Sequence, residues 1–273
     1  MNILEKNWSG KWALVTGASS GIGRELAILL AAGGTNLVLT ARRRDRLHEL
    51  AVNLRAKHSI RVEIFTADLS QPNAPTAIFN FTRVNNITID LLINNAGFGS
   101  YGPFHQSNLR AQLEMIQVNC SAVVHLTHLY LAGMIERRRG DILTLGSTAS
   151  FQAVPYIATY AATKAFDLSF GEALAEEVRQ YGIRACVLCP GSTQTEFHEI
   201  AGHPRKIMPH QETADKVARI GLEALARGKT LVISGTQNNV GTALQRLVPR
   251  HTVTKVAGKM FAPKTSSARS KSA

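Results

Sequence analysis

The sequence predicts a single doubly wound α/β domain, with seven parallel strands flanked by helices. Three observations support this prediction. Short apolar runs alternate with segments of helical periodicity along most of the 273 residues. The first apolar run stops at a glycine-rich turn that opens a helix. Small and polar residues follow the later apolar runs, where open parallel sheets bind their ligands.

Composition and charge limit the classes of protein that the chain can represent. A hydrophobic content of 45% is ordinary for a globular domain that buries one large core. The formal charge of +12 is uneven, because every charged residue after Glu223 is basic. This basic C-terminal region lacks interleaved aromatic residues and any recognition module, so we expect no nucleic-acid partner.

No segment of the sequence predicts a signal peptide or a membrane span. Residues Met1 to Gly10 include Glu5 and Lys6 and have no apolar core. The most apolar helical run, Ala122 to Ile135, is too short to span a bilayer. We therefore expect a cytoplasmic protein that does not cross a membrane.

The cysteines and histidines predict no metal site. An odd, low cysteine count argues against a disulfide framework. Cys186 and Cys189 have the spacing of a metal or redox motif, but they lie in a predicted strand, where residues three apart point to opposite faces. His125 and His128 form at most half a metal site, and we favour packing or interface histidines.

The first strand and helix predict a dinucleotide-binding turn. Trp12–Thr16 is a buried strand, and Thr16-Gly-Ala-Ser-Ser-Gly-Ile-Gly23 follows it. Gly17 permits the tight turn, Gly21 lets backbone amides approach a pyrophosphate, and Gly23 lets the helix pack on the sheet. The helix N-terminus adds a partial positive charge for the phosphates.

The end of the second strand, Asn36–Thr40, indicates which dinucleotide binds. Ala41-Arg-Arg-Arg44 stands where an acidic residue would accept hydrogen bonds from the adenosine ribose of NAD. A guanidinium instead binds a 2′-phosphate through two hydrogen bonds, so we predict NADP(H), with Arg42 as the first choice for that contact and Arg43 as the second. The alternative is a solvated basic turn before the next helix.

The remaining elements complete the alternation. Further strands are predicted at Arg61–Ala67, Ile89–Ile93, Asp141–Leu145, Arg184–Leu188 and Thr230–Ser234. Helices are predicted at Leu109–Arg137, from Tyr160 to about Tyr181, and at Thr213–Leu225. The segment from Gln194 to His210 is polar and rich in helix breakers.

Tyr160 and Lys164 form a reactive pair within this framework. Residues four apart lie on one helix face. A phenol with a pKa of about 10 exchanges protons poorly at neutral pH, whereas a neighbouring ammonium favours the phenolate. The pair can therefore act in general acid–base catalysis.

Together these motifs resemble the short-chain dehydrogenase/reductase family, from about Lys11 to about Gly235. The residues that carry the resemblance are the Thr16–Gly23 turn, Asn94-Asn-Ala-Gly97, Asn119, Ser147, the Tyr160–Lys164 pair and Pro190-Gly191. The resemblance implies a Rossmann-type sheet and reversible hydride transfer between NADP(H) and a carbonyl or secondary alcohol. It also implies a homodimer or homotetramer with a small-molecule substrate, and a mobile lid that closes over this substrate at Gln194 to His210.

The resemblance assigns roles to individual residues. It implies that Tyr160 exchanges the proton, Ser147 orients the substrate oxygen, Lys164 lowers the tyrosine pKa and holds the nicotinamide ribose, and Asn119 positions a relay water. The implied cofactor contacts are Gly17, Ser19, Ser20, Gly21, Ile22, Gly23, Arg42, Arg43, Asp68, Leu69, Asn95, Ala96, Gly97, Tyr160, Lys164, Pro190, Gly191, Thr193 and Thr195. Asn94 is expected to be mainly structural.

We divide the chain into a lead-in (1–10), a catalytic domain (11–238) and a basic C-terminal extension (239–273). Apolar residues repeat at helical spacing within the extension, and a disordered stretch is predicted from Pro263 to Ala273. The helical part either lies on an anionic membrane surface or packs over the domain or a dimer partner.

We favour a lipophilic ketone or aldehyde as the substrate. The alternative function is an NADP(H)-binding redox sensor or scaffold whose tail binds a membrane or a partner.

Overall fold

A parallel sheet forms the centre of the molecule. The computed structural model describes residues 3–202 and 211–263. Its strands are β1 (Trp12–Thr16), β2 (Asn36–Ala41), β3 (Val62–Thr66), β4 (Ile89–Asn94), β5 (Gly140–Leu145), β6 (Ile183–Cys189), β7 (Thr193–Gln194), β8 (Glu212–Thr213) and β9 (Leu231–Ile233). Seven of them form one parallel sheet in the order β3-β2-β1-β4-β5-β6-β9. The predicted fold class is confirmed.

Helices cover both faces of the sheet. They are α1 (Ile3–Trp8), α2 (Gly21–Ala32), α3 (Arg44–Lys57), α4 (Ala74–Val84), α5 (Leu109–Ile116), α6 (Ala122–Glu136), α7 (Ala158–Arg179), α8 (Phe197–Ile200), α9 (Ala214–Ala226), α10 (Thr236–Gln245) and α11 (Arg250–Phe261). The strand order reverses between β1 and β4, and a doubly wound sheet opens its ligand crevice at the carboxyl ends of the strands there.

The central strands are apolar on both faces because each face packs against helices. On β1, Ala13 and Val15 belong to the core beneath α2 and α9, whereas Trp12 and Leu14 belong to the opposite core beneath α4 and α6. Side chains alternate between the faces of a strand, so a buried central strand is a continuous apolar run.

The N-terminal lead-in belongs to the same fold. Trp8, on α1, is fully buried, and its indole Nε1 donates a hydrogen bond of 2.7 Å to Asp141 Oδ2 at the start of β5. Asp141 also forms an ion pair with Arg184 on β6 (2.6 Å). This network ties the first residues of the chain to the middle of the sheet.

The long helix predicted at Leu109–Arg137 is interrupted. Five residues, Gln117–Ser121, form a π-helical turn between α5 and α6, with Asn119 inside it. By length and composition, the stretch Leu109–Glu136 could cross a membrane. The apolar run Ala122 to Ile135 is only part of this 28-residue stretch. However, half of its most apolar window is buried against the domain, as in the core helix of a soluble protein.

The two C-terminal helices pack over the domain. Tyr101 donates a hydrogen bond of 2.7 Å from its hydroxyl to the carbonyl of Phe261. Phe261 and Ala257 on α11 are buried against Val154 and Ala161. Ala257 and Phe261 thus face the domain, whereas Leu244, Leu247, Val256 and Met260 of the same apolar stripe are exposed, so the stripe is only partly covered by the domain. The predicted disordered stretch lies, apart from its first residue, outside the described residues.

Candidate active site

The glycine-rich turn forms one wall of a cleft of about 310 Å³. Gly17 and Gly21 have positive φ angles of +68° and +56°, which glycine adopts without steric cost. A Cβ on Gly23 would lie 2.5 Å from the carbonyl oxygen of Gly17. Gly23 packs behind the turn and does not line the cleft, which agrees with its expected packing role. Gly21 and Ile22, the first residues of α2, line the cleft, so the helix N-terminus lies at its wall.

The structure places the other expected cofactor residues around the same cleft. These are Ser19, Ser20, Ile22, Arg42, Arg43, Asp68, Leu69, Asn95, Ala96, Gly97, Tyr160, Lys164, Pro190, Gly191, Thr193 and Thr195. Asn94 is not among them; its amide donates to Thr127 Oγ1 at 3.0 Å. These residues come from β1, β2, β3, β4, α7 and β6 or the loops that follow, so they meet only at the carboxyl edge of the sheet.

Thr16 joins the turn to the loop after β4. Its hydroxyl donates to the carbonyl of Ile93 (3.0 Å) and accepts from the amides of Asn95 and Ala96 (2.9 and 3.0 Å). The side-chain Nδ2 of Asn95 donates to the carbonyl of Thr16 at 2.7 Å. These bonds fix two walls of the cleft relative to one another.

Arg43, rather than Arg42, faces the glycine turn. Its guanidinium donates to Ser20 Oγ at 2.6 Å and to Ser19 Oγ at 3.1 Å. It also pairs with Glu196 Oε2 at 2.7 Å. Arg42 is exposed at the edge of the cleft. The sequence ranked these two arginines in the opposite order, because adjacent positions in a turn do not reveal which side chain points inward.

Glu196 was not predicted as a site residue. It binds Arg43 and Arg46 at once, and hydrogen bonds from these guanidinium groups lower the pKa of the carboxyl. No local pattern could have revealed this contact, because more than 150 residues separate Glu196 from Arg43. Its carboxylate neutralises the arginine that lies nearest to the glycine turn.

Ser147 and Tyr160 line both the cleft and the cavity beside it, and a hydrogen bond from Ser147 acts on the phenol. Ser147 accepts a hydrogen bond from the amide of Ala149 (3.1 Å), which leaves its own hydroxyl hydrogen free to donate. Ser150 accepts from the amide of Ser147 and donates to the carbonyl of Lys164 at 2.7 Å. Ser150 therefore braces the serine loop against α7, which carries both Tyr160 and Lys164.

Burial dominates the pKa of Tyr160. Loss of water raises it above the ordinary phenol value, while the Lys164 ammonium and the Ser147 hydrogen bond act in the lowering direction. The predicted effect of Lys164 is present, but the net direction in the protein alone is upward. In this state Tyr160 is a protonated phenol at neutral pH.

Lys164 is buried and held by two acceptors. Its Nζ donates to the carbonyl of Leu145 at 2.6 Å and to Asp167 Oδ2 at 2.9 Å. Asp167 was also missed, although its position three residues after Lys164 on the same helix gave a usable signal. One N–H of the ammonium is left to point into the cleft.

Asn119 is fully buried in the π-helical turn. Its amide nitrogen donates to the carbonyl of Phe98 (3.1 Å) and to Thr163 Oγ1 (3.0 Å), and its oxygen accepts from the amide of Phe98 (3.2 Å). Asn119 therefore holds the loop after β4 beside α7, within reach of the lysine. One lone pair of its oxygen is left for a further partner.

A second cavity of about 540 Å³ opens from Ser147 and Tyr160 on the side away from the glycine turn. Its lining is mainly apolar and includes Val154, Ile157, Phe197, Leu244, Val248, Val253, Val256 and Met260. Four of these side chains lie on α10 and α11, and Val248 lies between the two helices. The C-terminal extension, which was separated from the catalytic domain in the sequence, thus supplies much of this cavity.

The loop predicted as a lid starts over the site. It begins at the second residue of β7 and contains α8, and residues 203–210 of it are not among those described. The ring of Phe197 packs against that of Tyr160, with centroids 5.2 Å apart. Phe197 therefore borders both the cleft and the apolar cavity.

The cysteine residues do not line the cleft or the apolar cavity, whereas the imidazole of His198 borders both. Cys186 and Cys189 belong to different core clusters, and burial raises the pKa of each to about 12. Within residues 3–202 and 211–263, no group of His, Cys, Asp and Glu side chains could hold a metal ion. His125 contacts Thr76 at 3.2 Å.

The fold and the cleft define an oxidoreductase that uses a nicotinamide dinucleotide. The chain belongs to the short chain dehydrogenase family, whose model matches residues 11–205. It is 36% identical over 183 residues to a very-long-chain 3-oxoacyl-CoA reductase of Phaeosphaeria nodorum, an alignment that covers 65% of this chain and 54% of the relative. The enzyme of the same name from Pyricularia oryzae is 36% identical over 186 residues, 67% of this chain and 56% of the relative. The chain spans about half the length of these relatives.

Solved structures share the fold over most of the chain. A short-chain dehydrogenase from Sphingobium yanoikuyae in complex with NADPH has a TM-score of 0.79 and 31% identity, covering 87% of this chain and 94% of its own. A 7beta-hydroxysteroid dehydrogenase has a TM-score of 0.83 and 27% identity, covering 94% and 100%. The bulky-bulky ketone specific alcohol dehydrogenase from Comamonas testosteroni has a TM-score of 0.75 and 29% identity, covering 87% and 93%.

Proposed function

We propose that this protein is an NADP(H)-dependent oxidoreductase that interconverts a lipophilic ketone or aldehyde and its alcohol. One observation carries the proposal: the dinucleotide cleft and the apolar cavity meet at Ser147 and Tyr160. A reacting carbonyl at this junction would have the cofactor on one side and its apolar body on the other.

The preference for NADP(H) rests on charge. Arg42 and Arg43 follow β2 at the edge of the cleft, and no acidic residue stands beside them in the turn from Ala41 to Arg44. A guanidinium binds a phosphate through charge-assisted hydrogen bonds, whereas a carboxylate there would repel it. Arg43 is the better placed of the two, since it already lies against Ser19 and Ser20.

The chemistry is a hydride transfer with a matched proton transfer. The bound reduced nicotinamide supplies the hydride. Tyr160 gives its phenolic proton to the carbonyl oxygen as negative charge develops there, and Ser147 donates a hydrogen bond to the same oxygen. Lys164 presents its remaining N–H to the nicotinamide ribose. Asn119 and Lys164 support the relay that returns a proton to Tyr160.

The cavity supports a lipophilic substrate. Its volume of about 540 Å³ falls within the range of small-molecule pockets, and its exposed surface is mainly apolar. The polar residues of the lining are Ser100, Ser147, Thr148, Gln152, Tyr160, Ser192, His198, Gln245 and Thr252. The printed names of the relatives refer to bulky ketones, hydroxysteroids and very-long-chain oxoacyl groups, all of which are large and mainly apolar.

The exposed apolar side chains of the long helices support a homo-oligomer. Leu109, Leu113, Ile116, Val124 and Phe166 are all exposed on α5, α6 and α7. Apolar patches of this kind mark protein interfaces. We propose that a second copy of the chain covers them.

The test is the oxidation of NADPH, and separately of NADH, with aliphatic, aromatic and steroidal ketones and aldehydes. Tyr160→Phe should lower kcat by about 10²–10⁴-fold because the proton donor is lost. Tyr181→Phe, near the end of α7 and outside the site, is the matched control and should keep full activity. Binding of NADPH without turnover of any carbonyl would contradict the proposal and favour a sensor or scaffold.

A further inference from the structure

Asp167 is a buried carboxylate to which the proposed reaction assigns no role. Its side chain is 1% exposed. Oδ2 accepts a hydrogen bond of 2.9 Å from Lys164 Nζ, and Oδ1, also buried, has no hydrogen-bond partner in the part of the chain that the structure describes. Asp167 lies one helical turn beyond Lys164, on the side of α7 that faces the sheet.

A buried carboxylate at this position stabilises the fold less well than an apolar side chain would. Removing an ion pair from water costs free energy that the attraction recovers only with good geometry and full hydrogen bonding. One oxygen of Asp167 lacks such a bond, and its neighbours on α7 include the buried Leu168. An apolar side chain would fill the same position at lower cost. A function through Lys164 explains why a carboxylate stands there.

Two effects on Lys164 follow from the geometry. First, the ammonium is held at two points, by Asp167 and by the carbonyl of Leu145, so its remaining N–H has a defined direction. Second, the negative charge of Asp167 offsets the positive charge that Lys164 presents to Tyr160. The attraction of the ammonium for a phenolate is therefore weaker than it would be for an unpaired lysine.

We propose that Asp167 is a positioning residue that acts through Lys164: it orients the ammonium and offsets its charge, so that Tyr160 stays protonated and serves as the proton donor of a carbonyl reductase. The inference rests on the proposed function. It adds that the site is set up for reduction of a carbonyl, because Tyr160 is held in the protonated form that this direction needs. The overall equilibrium is set by the substrates and the cofactor and does not change. What changes is the pH range in which each direction is fast.

The other ionisable groups around the pair do not compete with this effect near neutral pH. Cys120 faces Asp167 and Lys164, and Cys189 faces Tyr160 and Lys164. Burial raises the pKa of Cys120 to about 11 and that of Cys189 to about 12, so both are neutral thiols over the working range. Burial raises the pKa of Asp167 above its ordinary value, while the Lys164 ammonium and its hydrogen bond act in the lowering direction. Lys164 and the ionised form of Asp167 are then the charges that act on Tyr160.

The test compares the full-length wild type with Asp167→Asn, which keeps the shape and removes the charge. The measurement is kcat/KM against pH for reduction of the best ketone of the panel by NADPH, and for oxidation of its alcohol by NADP⁺. Without the negative charge, the phenolate is favoured and the apparent pKa of Tyr160 falls. Both profiles should move to lower pH, and reduction on the alkaline side should fall about threefold or more while KM for the ketone stays constant.

Two further variants separate positioning from folding. Asp167→Glu retains the charge and should keep the wild-type profiles. Asp167→Leu should shift the profiles like Asp167→Asn, with a melting temperature no lower than that of the wild type. If Asp167→Asn and Asp167→Leu both unfold at lower temperature and keep the wild-type pH profiles, the residue is structural and the inference is overturned.

A measurement without turnover distinguishes failure of the inference from failure of the proposed function. The ultraviolet difference absorbance of tyrosinate reports phenol ionisation, and subtraction of the Tyr160→Phe spectrum isolates Tyr160. Asp167→Asn should ionise Tyr160 at lower pH than the wild type. The same ionisation pH in both proteins contradicts the inference, even if no carbonyl substrate is ever found.

Discussion

Replacement of Arg43 by alanine tests the proposed cofactor preference most directly. The change removes the guanidinium that lies against Ser19 and Ser20. NADPH and NADH differ only at the adenosine 2′ position. Loss of a phosphate contact should therefore weaken the binding of NADPH and leave the binding of NADH almost unchanged. Arg42→Ala, at the adjacent exposed position, is the matched control.

The expected magnitude follows from the environment of the side chain. A hydrogen bond to a charged group contributes about 1.5–3 kcal/mol, and a tenfold change in affinity corresponds to about 1.4 kcal/mol. The Arg43 side chain is 38% exposed, and Glu196 competes with a phosphate for it. The lower end of this range of hydrogen-bond free energies therefore applies. We expect the ratio of kcat/KM for NADPH to that for NADH to fall about tenfold in Arg43→Ala and about twofold in Arg42→Ala.

The assay is steady-state oxidation of each cofactor with one ketone at saturating concentration. Retained NADH-dependent activity shows that the variant is folded. A larger loss in Arg42→Ala than in Arg43→Ala would reverse the ranking of the two arginines. An unchanged ratio in both variants would refute the proposed preference for NADP(H).

The remaining predictions concern the cavity, the interface and the glycine turn. Deletion of the chain from Arg250 onward removes α11 from the cavity wall. It should raise KM for a bulky ketone about tenfold, because each lost methylene contact is worth about 0.8 kcal/mol. KM for NADPH should not change. Phe166→Glu places a charge on the proposed interface and should convert the oligomer to monomers in light scattering coupled to size exclusion; an unchanged mass would locate the interface elsewhere. Gly23→Ala would place a Cβ 2.5 Å from the Gly17 carbonyl oxygen and 2.3 Å from Asn95 Nδ2, so it should lower the melting temperature and abolish NADPH binding in a fluorescence titration. Normal binding in that variant would show that α2 can move without damage to the cleft.

The sequence by itself determined the sheet and the main residues around its carboxyl edge. Each strand is a short apolar run, and a run such as Trp12–Thr16 needs no distant information to be recognised. The glycine turn and the spacing from Tyr160 to Lys164 are local patterns as well, because backbone conformation and helix periodicity act over a few residues. The strand bounds therefore agree with the structure to within about one residue at each end.

The tertiary structure decided which residues meet. The contact between Glu196 and Arg43, the burial of Trp8 against Asp141 and the cavity wall formed by α11 all join parts of the chain that are far apart in sequence. Their formation depends on how whole elements pack, which no local pattern encodes. Asp167 is the intermediate case. Its spacing to Lys164 was visible in the sequence, but only the packing of α7 against the sheet shows that the pair is buried, and burial is what gives this carboxylate its influence on the proton donor.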